Sequence, residues 1–369
     1  MAWEKVKLDR FFIVKKGQAI TKKESNPGIY PVILGGREPA YYIDKYNHTG
    51  KAIVVSRSGA AGYVSFWNEP IFITDGFLIE PKDDVVYIFV YYLLKYKQSQ
   101  LIGNQRGAAI PHVTPNLLYS VEAFCPPLTT QQKIADILSA YDNLIENNQK
   151  QIKLLEEAAQ RLYKQWFIDL RYPGHETTPI VDGLPEGWKK EKLVDFADVI
   201  MGQSPKSEFY NQEKKGLPFH QGVGSYGTRF VIDDTYSTSI TRIAEPGSIL
   251  FSVRAPVGRL NFTKNKIIIG RGLAAINHKE KYQSFLFYML KERFFKDDIL
   301  GNGAIFASIS KDELLCQQFV IPNDELLRKY NTIASRMDGK IAAADAQIQL
   351  LTQSRDRLLP KLMNNEIEV

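Results

Sequence analysis

Two cysteines, Cys125 and Cys316, are all that 369 residues contain, so a disulfide framework and a cysteine-rich zinc site are both excluded. No run of about 18 apolar residues exists, and Met1-Ala-Trp-Glu-Lys5 lacks the apolar core of a secretory signal. A soluble, cytoplasmic chain is therefore expected. Histidine is also scarce: the five residues, at 48, 112, 175, 220 and 278, show no metal-ligand spacing. There is no G-x-x-x-x-G-K-[ST] loop and no nucleophile elbow. Gly222-Val-Gly-Ser-Tyr-Gly227 has the letters of a dinucleotide loop, but it leads into Thr228-Arg-Phe-Val-Ile-Asp233, a strand-like run where such a loop opens a helix. The one Pro-Pro pair follows Cys125, not the Asn or Asp of a methyltransferase motif. Asp338-Gly-Lys340 sits in a helical stretch, where nuclease carboxylates would be badly placed. No catalytic residue, bound metal or cofactor is expected, and the chain does not read as an enzyme.

What is present is soluble and slightly basic. Hydrophobic residues make up 44% and charged ones 24%, normal for a packed chain, and the length favours more than one domain. Net charge is +6, a lean toward nucleic acid. Residues 1–127 hold 15 Lys and Arg against 11 Asp and Glu, and residues 183–321 hold 19 against 15. Between and after them, 128–182 and 322–369 are near neutral.

This alternation reflects a duplication. Trp3, Leu8 and Gly17-Gln18 recur as Trp188, Leu193 and Gly202-Gln203 at an offset of 185. The offset then settles at 196, pairing Ser56 with Ser252, Gly76 with Gly272, Tyr92 with Tyr288, Asp142 with Asp338, and Gln151-Ile152 with Gln347-Ile348. Chance does not hold one offset that long, so the chain is a tandem repeat of a globular block followed by a long helix.

In the first helical stretch Leu138, Tyr141, Ile145, Asn148, Ile152, Leu155, Ala159, Leu162 and Trp166 alternate by three and four, a heptad seam. Ala334, Met337, Ile341, Ala344, Ile348, Leu351, Arg355, Leu358 and Leu362 repeat it in the same register. The polar exceptions, Asn148 and Arg355, are expected to weaken the seam while fixing its register. Two such helices from one chain can pair antiparallel and hold the blocks apart. The blocks read as strand-rich: 51–56, 70–74, 247–253 and 266–270 are β-branched runs bounded by turn residues, with one amphipathic helix per block over Tyr87–Gln98 and Tyr282–Phe295. The expected architecture is α+β: blocks 1–127 and 188–321, helices 128–171 and 322–369, and a linker over 172–187 rich in Pro, Gly and Thr.

Cations and amides cluster in the block loops. In the first block these are Lys15, Lys16, Gln18, Lys22, Arg37, Ser56, Arg57, Gln105, Arg106 and His112. In the second they are Gln203, Lys206, His220, Gln221, Tyr226, Arg229, Ser252, Arg254, Arg259, Arg271 and Asn302. Arg and Lys suit guanine edges and phosphates, while Gln and Asn suit adenine edges. All are candidate DNA-binding residues.

Cys125-Pro-Pro-Leu-Thr-Thr-Gln-Gln-Lys-Ile-Ala-Asp-Ile-Leu138, Leu162-Tyr-Lys-Gln-Trp-Phe167, Gly183-Leu-Pro-Glu-Gly-Trp188 and Gly202-Gln-Ser-Pro205 carry a family resemblance. Along nearly its whole length the chain resembles the DNA-specificity subunit of type I restriction-modification systems. The second lead-in to a helix departs from the pattern, reading Ile321-Pro-Asn-Asp-Glu325, which leaves its capping open. The resemblance implies two target-recognition domains, each reading half of a bipartite double-stranded DNA site, with the helices as spacer. It further implies docking of two methyltransferase (modification) subunits, with motor-nuclease (restriction) subunits able to join. S-adenosylmethionine, ATP and Mg would belong to those partners. A coiled-coil adaptor whose blocks bind protein ligands is the alternative; it explains the helices equally well and the Arg- and Lys-bearing loops badly.

Overall fold

Ala52–Ser56 is apolar almost throughout because both of its faces are covered. Ile53 and Val55 enter one core with Phe77 and Ile79, and Ala52 and Val54 enter another with Ile33, Ile71 and Ile73. The computed structural model describes residues 3–103, 112–294 and 308–369. Two compact units divide it, one of Met1–Gln149 with Ala346–Val369 and the other of Lys150–Asp345.

The duplication is visible in the strand order of the two units. In the first, an antiparallel sheet runs Phe12–Lys16, Gly76–Pro81, Ala52–Ser56, Val64–Trp67. In the second the order is Ala197–Met201, Leu273–His278, Ile249–Ser252, Leu260–Phe262, the same arrangement. A second sheet carries a parallel pair in each unit: Pro27–Ile33 with Phe72–Ile73, and Leu217–His220 with Ile267–Ile269. It has three strands in the first unit and five in the second: Tyr236–Ser237 takes the place of Tyr41–Ile43 beside the pair, and Tyr210–Asn211 and Ile243–Ala244 are added. The residues the second copy gains fall in this region, so the insertion enlarges the second sheet and spares the first.

The longer helices are α1 (Tyr87–Gly103), α2 (Leu128–Tyr163), α3 (Gln283–Phe294) and α4 (Asp324–Met363). Seven consecutive residues of α3, Ser284–Leu290, are buried, so that helix is enclosed on every side and not amphipathic as its sequence led one to expect. The heptad seam is where burial falls. Leu138, Ile145, Asn148, Ile152 and Ala159 of α2 are buried, as are Ala334, Ile341, Ala344 and Leu362 of α4, and the remaining seam positions on both helices are half-buried apart from Trp166. In the first unit Ile134, Ala135 and Leu138 share a core with Leu362 and Met363; in the second Ala159 and Tyr163 share one with Tyr330 and Ala334. Each unit thus joins the beginning of one long helix to the end of the other, the antiparallel pairing. Among the described residues no helix is long and apolar enough to cross a membrane.

Two local features differ from the sequence reading. The first helix does not run α-helical through Trp166: it ends at Tyr163 and widens into a π turn over Lys164–Ile168. The wider turn lets the adjacent Trp166 and Phe167 both enter the core, where they meet Tyr330 at ring distances of 6.0 and 5.1 Å. The region 172–187 contains a hairpin, Ile180–Val181 with Leu184–Pro185, rather than plain linker. The capping of α4 is resolved by Asn323, whose Oδ1 accepts the Leu326 N–H at 2.9 Å.

Candidate nucleic-acid interface

Gly17 and Gly202 end the first strand of each sheet, and neither position has room for a side chain. A Cβ would lie 2.5 Å from the Thr74 carbonyl oxygen at Gly17 and 2.1 Å from that of Gly270 at Gly202. This close approach seats each following glutamine against a second loop: the N–H of Gln18 donates to Ile73 O and that of Gln203 to Ile269 O, both at 2.9 Å. Gln18 and Gln203 are exposed.

In the first unit a third loop completes the cluster. Arg57 Nε lies 3.0 Å from Asp75 Oδ1, and the Ser58 hydroxyl donates to the same carboxylate. The Val113 N–H donates to Arg57 O at 3.0 Å, which brings the exposed His112 alongside. In the second unit the Gly270 N–H donates to His220 O at 2.8 Å, and that of Gly272 to Gln221 O at 3.1 Å. Ser204 joins the loops, its hydroxyl donating to Gln221 Oε1 at 2.7 Å and accepting the Arg271 N–H at 3.2 Å. Val253 N–H donates to Gly272 O at 2.9 Å and draws Arg254 to the same edge. Arg254 and Arg271 are exposed and have no carboxylate within ion-pairing distance among the described residues. By repeat position Arg271 matches Asp75, and Arg254 matches Ser58. The same scaffold therefore presents a neutralised Arg–Asp pair in one unit and two open arginines in the other.

Residues 2–157 and 185–351 match the type I restriction modification DNA specificity domain. The chain belongs to that family. Two type I restriction enzyme specificity subunits of Methanocaldococcus jannaschii, one of them putative, are similar to it. The putative one is 29% identical, covering 97% of this chain and 84% of its own length; the other is 30% identical, covering 87% and 78%. The crystal structure of a type I restriction-modification S subunit from M. genitalium shares the fold, with a TM-score of 0.63 and 22% identity over 98% of this chain and 96% of that one. As a specificity subunit the chain has a non-catalytic role.

Not every candidate residue of this specificity subunit lies in the loop clusters. Lys16, Lys22, Arg37 and Lys206 are exposed, Arg37 lying 5.6 Å over the Tyr63 ring and Lys206 3.9 Å from Glu208, and Lys15 is 2.7 Å from Glu80 across the sheet. Gln105, Arg106 and Asn302 lie outside the described residues. Four expectations of direct DNA contact meet buried side chains instead. Ser56 and Ser252 are each 1% exposed; Ser252 Oγ donates to Pro256 O at 2.6 Å and accepts the Arg259 N–H at 2.8 Å, so it shapes the turn. His220 is fully buried. Arg229, 2% exposed, stacks 3.7 Å from the Phe287 ring centroid and pairs with Asp338 at 2.5 Å and Glu156 at 3.3 Å. Two carboxylates and an aromatic face compensate its lost hydration, which makes it a packing residue. Tyr226 and Arg259 flank a cavity of about 370 Å³ beside it, with Asn261 and Phe287.

Sequence reasoning missed the partners of these groups. Tyr92 OH donates to Asp142 at 2.6 Å, and Tyr288 OH donates to Asp338 at 2.9 Å, tying each domain helix to a long helix. Both residues of each pair recur at the 196 offset. That coincidence was the available signal. Asp75, Ser204 and Asp233 carry no such mark.

Proposed function

We propose that this specificity subunit binds a bipartite, asymmetric site in double-stranded DNA, each recognition domain reading one half-site, while its long helices dock two methyltransferase subunits and motor-nuclease subunits can join. One observation carries the reading: equivalent loops on equivalent scaffolds bear different chemistry, Arg57 with Asp75 against Arg254 with Arg271. Unlike side chains in matched places suit unlike half-sites. The helices add support for docking. Gln151, Leu154 and Arg161 recur as Gln347, Leu350 and Arg357, all exposed, with Leu154 at 65% and Leu350 at 64%. An outward apolar residue kept in both repeats fits two copies of one partner. In this reading S-adenosylmethionine, ATP and Mg are held by the partner subunits.

The test is methylome sequencing of a host that expresses the chain with its methyltransferase subunit. A methylated motif of two unlike half-sites separated by unspecified bases is expected. A palindromic or contiguous motif, or none, overturns the reading. Purified alone with methyl donor, magnesium and ATP, the chain should neither methylate nor cut DNA.

A further inference from the structure

His220 is fully buried, and both ring nitrogens are engaged. Nδ1 lies 2.8 Å from the Ser225 hydroxyl, which also reaches Gly222 O at 3.3 Å, and Nε2 lies 2.9 Å from Asp233 Oδ1. Asp233 is anchored in turn by the Asn265 amide, which donates to Oδ2 at 2.9 Å. The hydrogen bond from His220 holds the Asp233 carboxyl below the usual carboxylate range. The order Ser–His–Asp suggests a hydrolytic relay, but an imidazole with no exposed surface is closed to substrate.

What this relay holds is a loop. Residues 221–225 are pinned at one end through the backbone, by the Gly270 and Gly272 N–H groups on His220 O and Gln221 O. At the other end Ser225 is pinned by its side chain to the His220 ring and by its carbonyl, which accepts the Ile232 N–H at 2.9 Å. Between the pins lie Gly222 and Gly224. A Cβ at either would meet no atom of the described residues within 4 Å, and neither has positive φ. Among the described residues nothing requires glycine there, whereas a bulky ligand passing close to the backbone would. Beside them are the exposed Gln221 and Arg271. With Oε1 held by Ser204, Gln221 offers its amide hydrogens, as Arg271 offers its guanidinium. Both are donors, the chemistry that fits the acceptor-rich edge of guanine.

We propose that His220 is a positioning residue for DNA recognition: it presets the loop 221–225 so that the duplex backbone passes over Gly222 and Gly224 while Gln221 and Arg271 meet base edges. This rests on the reading of the second domain as a half-site reader.

The full chain, assembled with its methyltransferase partner, is tested by selection from randomised duplex DNA, followed by affinity for the enriched motif. The variants are Gly222→Ala/Gly224→Ala, Ser225→Ala, His220→Ala, and Ser225→Ala with His220→Ala. The glycine variant should melt with the wild type yet bind about tenfold or more weakly. Ser225→Ala and His220→Ala should blur base preference in one half of the motif and leave the other half intact. Their combination should cost less than the sum of the two, since Ser225 and His220 share one bond. Wild-type affinity in the glycine variant, losses spread over both halves, or additive losses overturn the proposal. If His220→Ala fails to fold, the glycine and Ser225 variants decide by the same criteria. A wild type that enriches no motif removes the DNA reading together with the proposal; variants that match a bipartite wild-type motif remove only the role of the loop.

Discussion

Asp142 and Asp338 hold the same repeat position and take the same tyrosine hydroxyl, yet each is neutralised from a different part of the chain. In the first unit the arginine is Arg355, on α4, 2.6 Å from Asp142. In the second it is Arg229, from the recognition domain itself, 2.5 Å from Asp338. Burial above all pushes the Tyr92 and Tyr288 hydroxyls above the ordinary tyrosine range, so both remain donors. The position that matches Arg355 in the first helix is Ala159, so the duplicated scaffold kept the tyrosine–aspartate bond and left the cation to whichever segment reaches it. Surroundings differ accordingly. The Arg229 side chain is 2% exposed, whereas those of Arg355 and Asp142 are 25% and 30% exposed.

The largest expected effect tests that difference. Arg229→Ala strands Asp338 and Glu156 in a poorly hydrated site and should cost about 3–5 kcal/mol, read by denaturant melts or by loss of hydrogen-exchange protection in the second unit. A cost no greater than that of a surface pair would break the comparison.

Acid should separate the units next. Burial holds the His278 imidazole down at about 4 from the usual 6.5, and Lys82 stands at its repeat position. An unfolded chain takes up this proton below about 6.5, while the native second unit refuses it until about 4. Between those values falling pH favours unfolding, by about 3 kcal/mol at pH 4, and above 6.5 the group contributes nothing. Segment-resolved hydrogen exchange from pH 7 to 5 should show protection declining more in the second unit, and His278→Gln should flatten the difference. A second unit that declines as steeply in that variant as in the wild type would assign the loss to other groups.

Recognition should be sensitive to a lesser degree. Arg254→Ala removes an open donor and should weaken one half-site by about 1–3 kcal/mol. Arg57→Ala also strips Asp75 of its cation, so it should be the more harmful of the two, and adding Asp75→Ala should restore part of the affinity. Wild-type methylation by both single variants would show that these loops do not read DNA. The smallest effect is expected for Arg355→Ala, about 1 kcal/mol, because water screens that half-exposed pair. A cost matching that of Arg229→Ala would mean that burial does not distinguish the two locks.

Much of the architecture was legible in advance. The fixed offset, the three-four alternation on both helices and the β-branched runs each depend on near neighbours in sequence, and local periodicity reports them faithfully. Arg355 was legible as an exception in the seam, though not as a partner of Asp142. The loops were legible only as sets of residue types: Gln18, Gln203, Arg57, Arg254, Gln221 and Arg271 do gather at strand ends, whereas Arg229, His220, Ser56 and Ser252 do not reach solvent.

Duplication, helix register and the strand-rich character of the blocks were thus determined by the sequence itself, since each rests on periodicity within a few residues or on one offset. Which cations remain open was decided only by tertiary structure. Arg229 owes its burial to Phe287, Asp338 and Glu156, and Arg57 its neutralisation to Asp75. Desolvation and pairing depend on what lies within a few ångströms in space, and no pattern along the chain encodes that for a single arginine.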